Sequence, residues 1–176
     1  MSTPIDTRNA IRVALQVALV SLCSYVCGFQ FTSLFHGATA SIGALWSMIA
    51  GMLVLQATRR STWSSAWIRV LGTLVGSIIG AVYLSFLPYS AVGMAASILV
   101  TVLLCHAARI PDHARLASLT VAVIMVLSNL NPTLTPILSA TLRFGESCIG
   151  TAVALIAVLI WPEPTGPLGA APRPSR

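Results

Sequence analysis

Three ionisable residues stand inside otherwise apolar runs: Arg69, Arg143 and Glu146. A charged side chain in hydrocarbon is costly, so each needs a reason to be there. Arg143 and Glu146 are three positions apart and share a face if their stretch is helical. Two chemistries fit that pair. It is either a self-neutralised ion pair that only stabilises its helix, or a switch in which an anionic ligand competes for Arg143 and frees Glu146 to exchange a proton. Glu146 is the only acid well inside an apolar run, which makes it the candidate for proton coupling. Arg69 heads the run Arg69–Leu87. It reads either as an interfacial anchor whose head snorkels to water or as a guanidinium that holds a carboxylate by paired hydrogen bonds.

Other groups could complete a binding set with the two arginines. Trp46 falls in mid-run, away from any interfacial belt, and would suit stacking on an aromatic ring. Thr73 and Asn129 are polar groups in the same kind of run. Each also has a plainer reading as an interhelical hydrogen-bonding or packing residue, as do Gln16, Ser47 and Gln56. His36, His106 and His113 lie at or near connections and read as structural or solvated. Cys23, Cys27, Cys105 and Cys148 all fall in apolar runs and read as small packing residues. No disulfide is implied. There is no Gly-Lys-Ser/Thr phosphate loop, Gly-x-Ser-x-Gly or His-Glu-x-x-His motif, so no enzyme, cofactor or metal is expected.

The elements that must position these residues are membrane helices. Of 176 residues, 56% are hydrophobic and only 8% charged. A soluble domain of this size carries roughly a quarter charged residues. The reading is therefore an all-α integral membrane protein. Its ten basic residues are all arginines. They lie between apolar runs and not in a patch, so membrane topology explains them and nucleic acid is not an expected partner. Six spans are predicted at residues 10–29, 38–57, 67–87, 89–107, 116–130 and 142–161. The fifth is short of the roughly 20 residues that a bilayer core demands. Residues 1–9 form a polar leader, and the Pro/Gly-rich stretch 162–176 reads as a disordered tail.

Nine arginines fall on one side of this arrangement and only Arg143 on the other. That bias predicts both termini in the cytoplasm. Gly72, Gly76 and Gly80 recur every four residues and line one packing face of the third span. An offset of 74 positions lays Arg69 on Arg143, Gly76 on Gly150, Ser77 on Thr151 and Gly72 on Glu146. The six spans then divide into two three-helix repeats, 10–87 and 88–161. An odd number of spans per repeat makes the second copy inverted, an arrangement that recurs in transporters.

Two stretches add a family resemblance. Leu53-Val-Leu-Gln-Ala-Thr58 followed by Arg69-Val-Leu-Gly-Thr-Leu-Val-Gly76 resembles the transmembrane domain of the aromatic acid exporter family, also called the fusaric acid resistance family. The ending Arg143…Gly150…Trp161-Pro162 is similar to that family's closing helix. The resemblance implies a bacterial inner-membrane efflux protein for aromatic carboxylic acids or related toxic compounds, driven by the proton gradient. Larger members carry more spans and cytoplasmic domains. A half-size chain would most simply dimerise to rebuild the larger unit. The expected roles are then Arg69 and Arg143 for the carboxylate, Trp46 for the ring and Glu146 for the proton. An oligomeric anion pore lined by the arginines and a non-transporting membrane scaffold are the rival readings.

Overall fold

The computed structural model describes residues 7–56 and 58–161. The expected tail 162–176 and most of the expected leader lie outside that range. The described residues form six α-helices: α1 (Thr7–Phe35), α2 (Ala40–Val54), α3 (Arg59–Phe86), α4 (Ala91–Ala107), α5 (Pro111–Leu130) and α6 (Pro136–Ile160). A single 3-10 turn, Gly37–Thr39, joins α1 to α2. There is no strand among the described residues.

Five helical stretches are long and apolar enough to cross a membrane, the second of them only when the 3-10 turn is counted with α2, as Gly37–Val54. The exception is α4, with 17 residues. At 1.5 Å per residue it spans about 25 Å, against roughly 30 Å of hydrocarbon. Of the six expected spans, the fifth is therefore not the short one: α5 has 20 residues, whereas α4 has 17 and the second span 18 with its 3-10 turn. The fifth gains a turn because α5 begins at Pro111, where the missing N–H is no loss and Asp112 complements the positive helix end.

Most helices also start earlier than their apolar cores. Thr58 and Ser61 form a reciprocal capping box, so the polar stretch expected as a loop is the first two turns of α3. Thr135 accepts the Leu138 N–H, and Pro136 follows it at the first helical position of α6. These extensions move both buried arginines inward. Arg69 lies ten residues past the start of α3, about 15 Å along it, and Arg143 seven past the start of α6, about 10 Å. Neither arginine stands at the end of its helix.

Helices α3 and α6 pack on each other at the centre. Helix α5 packs on α3 and α2 packs on α6, while α1 lies on α2 and α4 on α5. Helix α1 also reaches α6. Small residues set the closest approaches. A Cβ on Gly76 would overlap the Ala117 carbonyl of α5, and one on Gly150 would overlap the Ser47 carbonyl of α2. Lipid supplies no hydrophobic drive between helices, so such intimate contact and interhelical hydrogen bonds hold the bundle. Polarity is distributed accordingly: Ser24, Thr32, Ser47, Thr73, Thr101 and Ser147 are fully buried, whereas Leu22, Val92, Leu103 and Ile156 face outward.

Candidate functional site

The α3–α6 contact holds a polar cluster sealed from solvent. Arg69, Arg143 and Glu146 are each at most 1% exposed. Each arginine starts a matched ladder with a four-residue step: Arg69, Thr73 and Ser77 on α3, and Arg143, Ser147 and Thr151 on α6. Four residues is close to one helical turn, so each ladder lies along one face. All six side chains are buried.

The bonds in the cluster are few and specific. Arg143 Nη2 donates to Glu146 Oε1 at 2.6 Å. Thr32 Oγ1 of α1 donates to the same oxygen at 2.6 Å. Arg69 Nε donates to Ser147 Oγ at 3.2 Å, and Thr73 Oγ1 meets that hydroxyl at 3.1 Å. The Arg69 guanidinium also lies over the Trp46 ring, 5.1 Å from its centroid, a favourable placement of a cation on a π face. Gly43 of α2 makes room for the Glu146 side chain, since a Cβ there would overlap both Thr32 Oγ1 and Glu146 Oε1.

What the cluster leaves undone is as informative. Arg69 Nη1 and Nη2, Arg143 Nε and Nη1, and Glu146 Oε2 are buried without a hydrogen-bond partner among the described residues. The three charged side chains are two guanidiniums and one carboxylate, and the carboxylate pairs with Arg143 alone, which leaves Arg69 without a counter-charge among the bonds of the cluster. An unpaired cation buried away from water is strongly unfavourable. The arrangement is one that an added anion would complete.

Residues 27–157 match the profile of the fusaric acid resistance protein-like family. The chain belongs to that family. The match takes in every residue of the buried cluster and all of α2 to α5. No curated protein and no solved structure matches the chain. Membership in this family, together with the long apolar helices, makes the chain a multi-pass membrane protein of the transport type.

In this fusaric acid resistance-like bundle, five of the expected functional side chains fall into two buried groups joined along α6: Arg69 with Thr73 and Trp46 around Ser147, and Arg143 with Glu146. Asn129 does not join them; it is exposed at the far end of α5. Trp46 is not open to a ligand ring on the face that Arg69 covers. Gly72, Gly76 and Gly80 all lie against α5, at Leu116, Ala117 and Ile124 respectively.

Three contributors went unnoticed in the sequence. Ser147 was findable, because the 74-residue offset that relates the arginines also pairs it with Thr73. Thr32 carries no local signal, lying where a connection was expected. Gly43 is a lone glycine in an apolar run, and only its neighbours reveal what it does.

Two cavities open on the bundle. One of about 180 Å³ is lined by Leu53, Val54, Ser65, Ile68, Leu116 and Arg69. The other, about 330 Å³, is lined by Arg59, Arg60, Trp63, Leu155, Val158 and Leu159. The first includes Arg69, a member of the buried cluster, in its lining.

Proposed function

We propose that this chain is a proton-coupled efflux transporter for small aromatic carboxylates in a bacterial inner membrane. It acts as a homodimer, with each protomer built from two inverted three-helix repeats and both termini in the cytoplasm. One observation carries the reading: buried guanidinium nitrogens of Arg69 and Arg143 lack partners, and the one buried carboxylate pairs with Arg143 alone. A carboxylate ligand would supply the missing negative charge and bind a guanidinium through two parallel hydrogen bonds. At Arg143 it would compete with Glu146 for the guanidinium. Efflux follows if the ligand leaves on the outer face and Glu146 then takes a proton from that face, so that ligand and proton travel on opposite legs of the cycle. Family membership supports the efflux class.

Packing supports the repeat. Helix α3 contacts α5 as α6 contacts α2, and α4 lies on α5 as α1 lies on α2. Gly76 approaches α5 at Ala117 and Thr120, and Gly150 approaches α2 at Ser47 and Ala50. The same spacing of three separates the residues met in each case.

Proteoliposomes test the function. An imposed pH gradient is expected to drive benzoate uphill, and Glu146→Gln is expected to leave only downhill flux. Equilibration without accumulation under the gradient would instead establish a passive anion pore. Cross-linking of the reconstituted protein checks the dimer.

A further inference from the structure

The Leu53–Leu116 cavity touches the buried cluster through Arg69. Its volume is about 180 Å³. Five of its six lining residues, Leu53, Val54, Ser65, Ile68 and Leu116, carry no charge, and four of those are aliphatic. An apolar cavity near 150 Å³ lined by such residues accepts benzene, while drug-sized ligands need about 300 Å³ or more. The sixth lining residue is Arg69, whose Nη1 and Nη2 have no partner among the described residues. A ring-sized, mostly apolar opening lined in part by an arginine whose buried terminal nitrogens lack partners has the chemistry of a one-ring monocarboxylate site once that guanidinium turns toward it.

We propose that this cavity is the ring-binding half of the ligand site and limits the ligand to a single ring. The inference rests on the carboxylate reading of Arg69 given above and adds where the ring goes and what bounds it. The ring lies among Leu53, Val54, Ile68 and Leu116, and not on Trp46. Trp46 has a different task, because its face holds the Arg69 guanidinium while the site is empty. Arg69 Nη1 and Nη2 are sealed in this conformation. Engaging a carboxylate in the cavity therefore turns the guanidinium off the indole, and Trp46 reports occupancy. Leu116 sets the depth. Its Cβ lies close under Gly72, so truncation beyond Cβ enlarges the cavity without disturbing that helix contact.

The test uses the full chain in nanodiscs, with Trp63, Trp67 and Trp161 replaced by Phe so that only Trp46 emits. Equilibrium dialysis with radiolabelled benzoate and 1-naphthoate measures binding. Benzoate is expected to bind roughly tenfold or more tightly than 1-naphthoate and to change Trp46 emission. Leu116→Ala is expected to close that gap by admitting the second ring. Leu53 is half exposed, so Leu53→Trp is a tolerable way to fill the cavity, and it is expected to abolish benzoate binding in a protein that still elutes as a folded species. Equal binding of the two acids, or benzoate binding unchanged by Leu53→Trp, would overturn the pocket. If that binding still disappears in Arg69→Gln, the carboxylate reading survives and only the ring site falls. If neither acid binds, both fall together.

Discussion

Thr73 and Ser147 touch hydroxyl to hydroxyl at 3.1 Å across the α3–α6 contact, and they are 74 residues apart. The same interval separates Arg69 from Arg143 and Ser77 from Thr151. In the proposed repeat these are equivalent positions, and the axis relating the halves would pass between them. Ser147 also receives Arg69 Nε, so this hydroxyl couples one arginine to the other ladder. Ser147→Ala strands both Arg69 and Thr73. It should cost about 1.5–3 kcal/mol, the range for hydrogen bonds to charged groups. Thr73→Val removes only a neutral contact and should cost about 1 kcal/mol. Thermal melts in detergent check the ranking; an equal loss for both would count against Ser147 as the shared acceptor.

The Arg143–Glu146 pair should be non-additive. Arg143→Met leaves a buried carboxyl unmatched, and Glu146→Leu leaves a buried guanidinium unmatched. Each should destabilise by about 3–5 kcal/mol, whereas the double variant should recover most of that loss, because a well-packed apolar pair can replace a buried ion pair. A double-mutant cycle on melting temperatures measures the coupling. The double variant should be transport-inactive while folded, which separates stability from function.

Glycines at the helix contacts should differ sharply. Gly150→Ala drives a methyl into the Ser47 carbonyl, which is backbone and cannot turn aside. It should cost about 1–3 kcal/mol, as overpacking does. Gly80→Ala meets only the Ile124 side chain, at 3.3 Å, and should lie near neutral because alanine favours the helix. Expression level and melting temperature of the two variants provide the comparison.

The turn from α4 to α5 should accept improvement. Arg109 has φ of 61°. Its N–H reaches the His106 carbonyl and the next N–H, of Ile110, reaches Cys105, the bonding of a Schellman motif. Glycine occupies that backbone conformation without the steric cost an L side chain carries. Arg109→Gly should therefore stabilise by about 1 kcal/mol. A lower melting temperature would mean that the Arg109 side chain makes a contact of greater value.

Hydropathy made the middle of each helix legible and its ends obscure. The stretch Arg59-Arg60-Ser-Thr-Trp-Ser-Ser65 is polar enough to suggest a loop, but the Thr58/Ser61 capping box was already written there. Pro111 with Asp112 similarly announced a helix start. Those missed turns are the reason Arg69 and Arg143 read as edge residues: a span drawn from residue 67 puts Arg69 at its rim, whereas a helix drawn from Arg59 puts it inside. The Arg143–Glu146 bond was legible because it is local, three positions along one helix. Thr32 on Glu146 and Arg69 on Trp46 were not, because each joins separate helices whose facing only the packed bundle defines.

The two ladders agree in shape but not in charge. Glu146 sits beside Arg143, and Gly72 is its counterpart beside Arg69. A rocking bundle with identical halves would have two mirror conformations of equal energy and would rest half the time in each. One carboxylate on one side lifts that degeneracy. Without ligand, the bundle should wait mostly on the side where Arg143 keeps its acid, and a ligand must supply the free energy to tip it over. Glu146→Gln, which removes the charge and keeps the shape, should bring the two resting populations of the empty protein closer to equal.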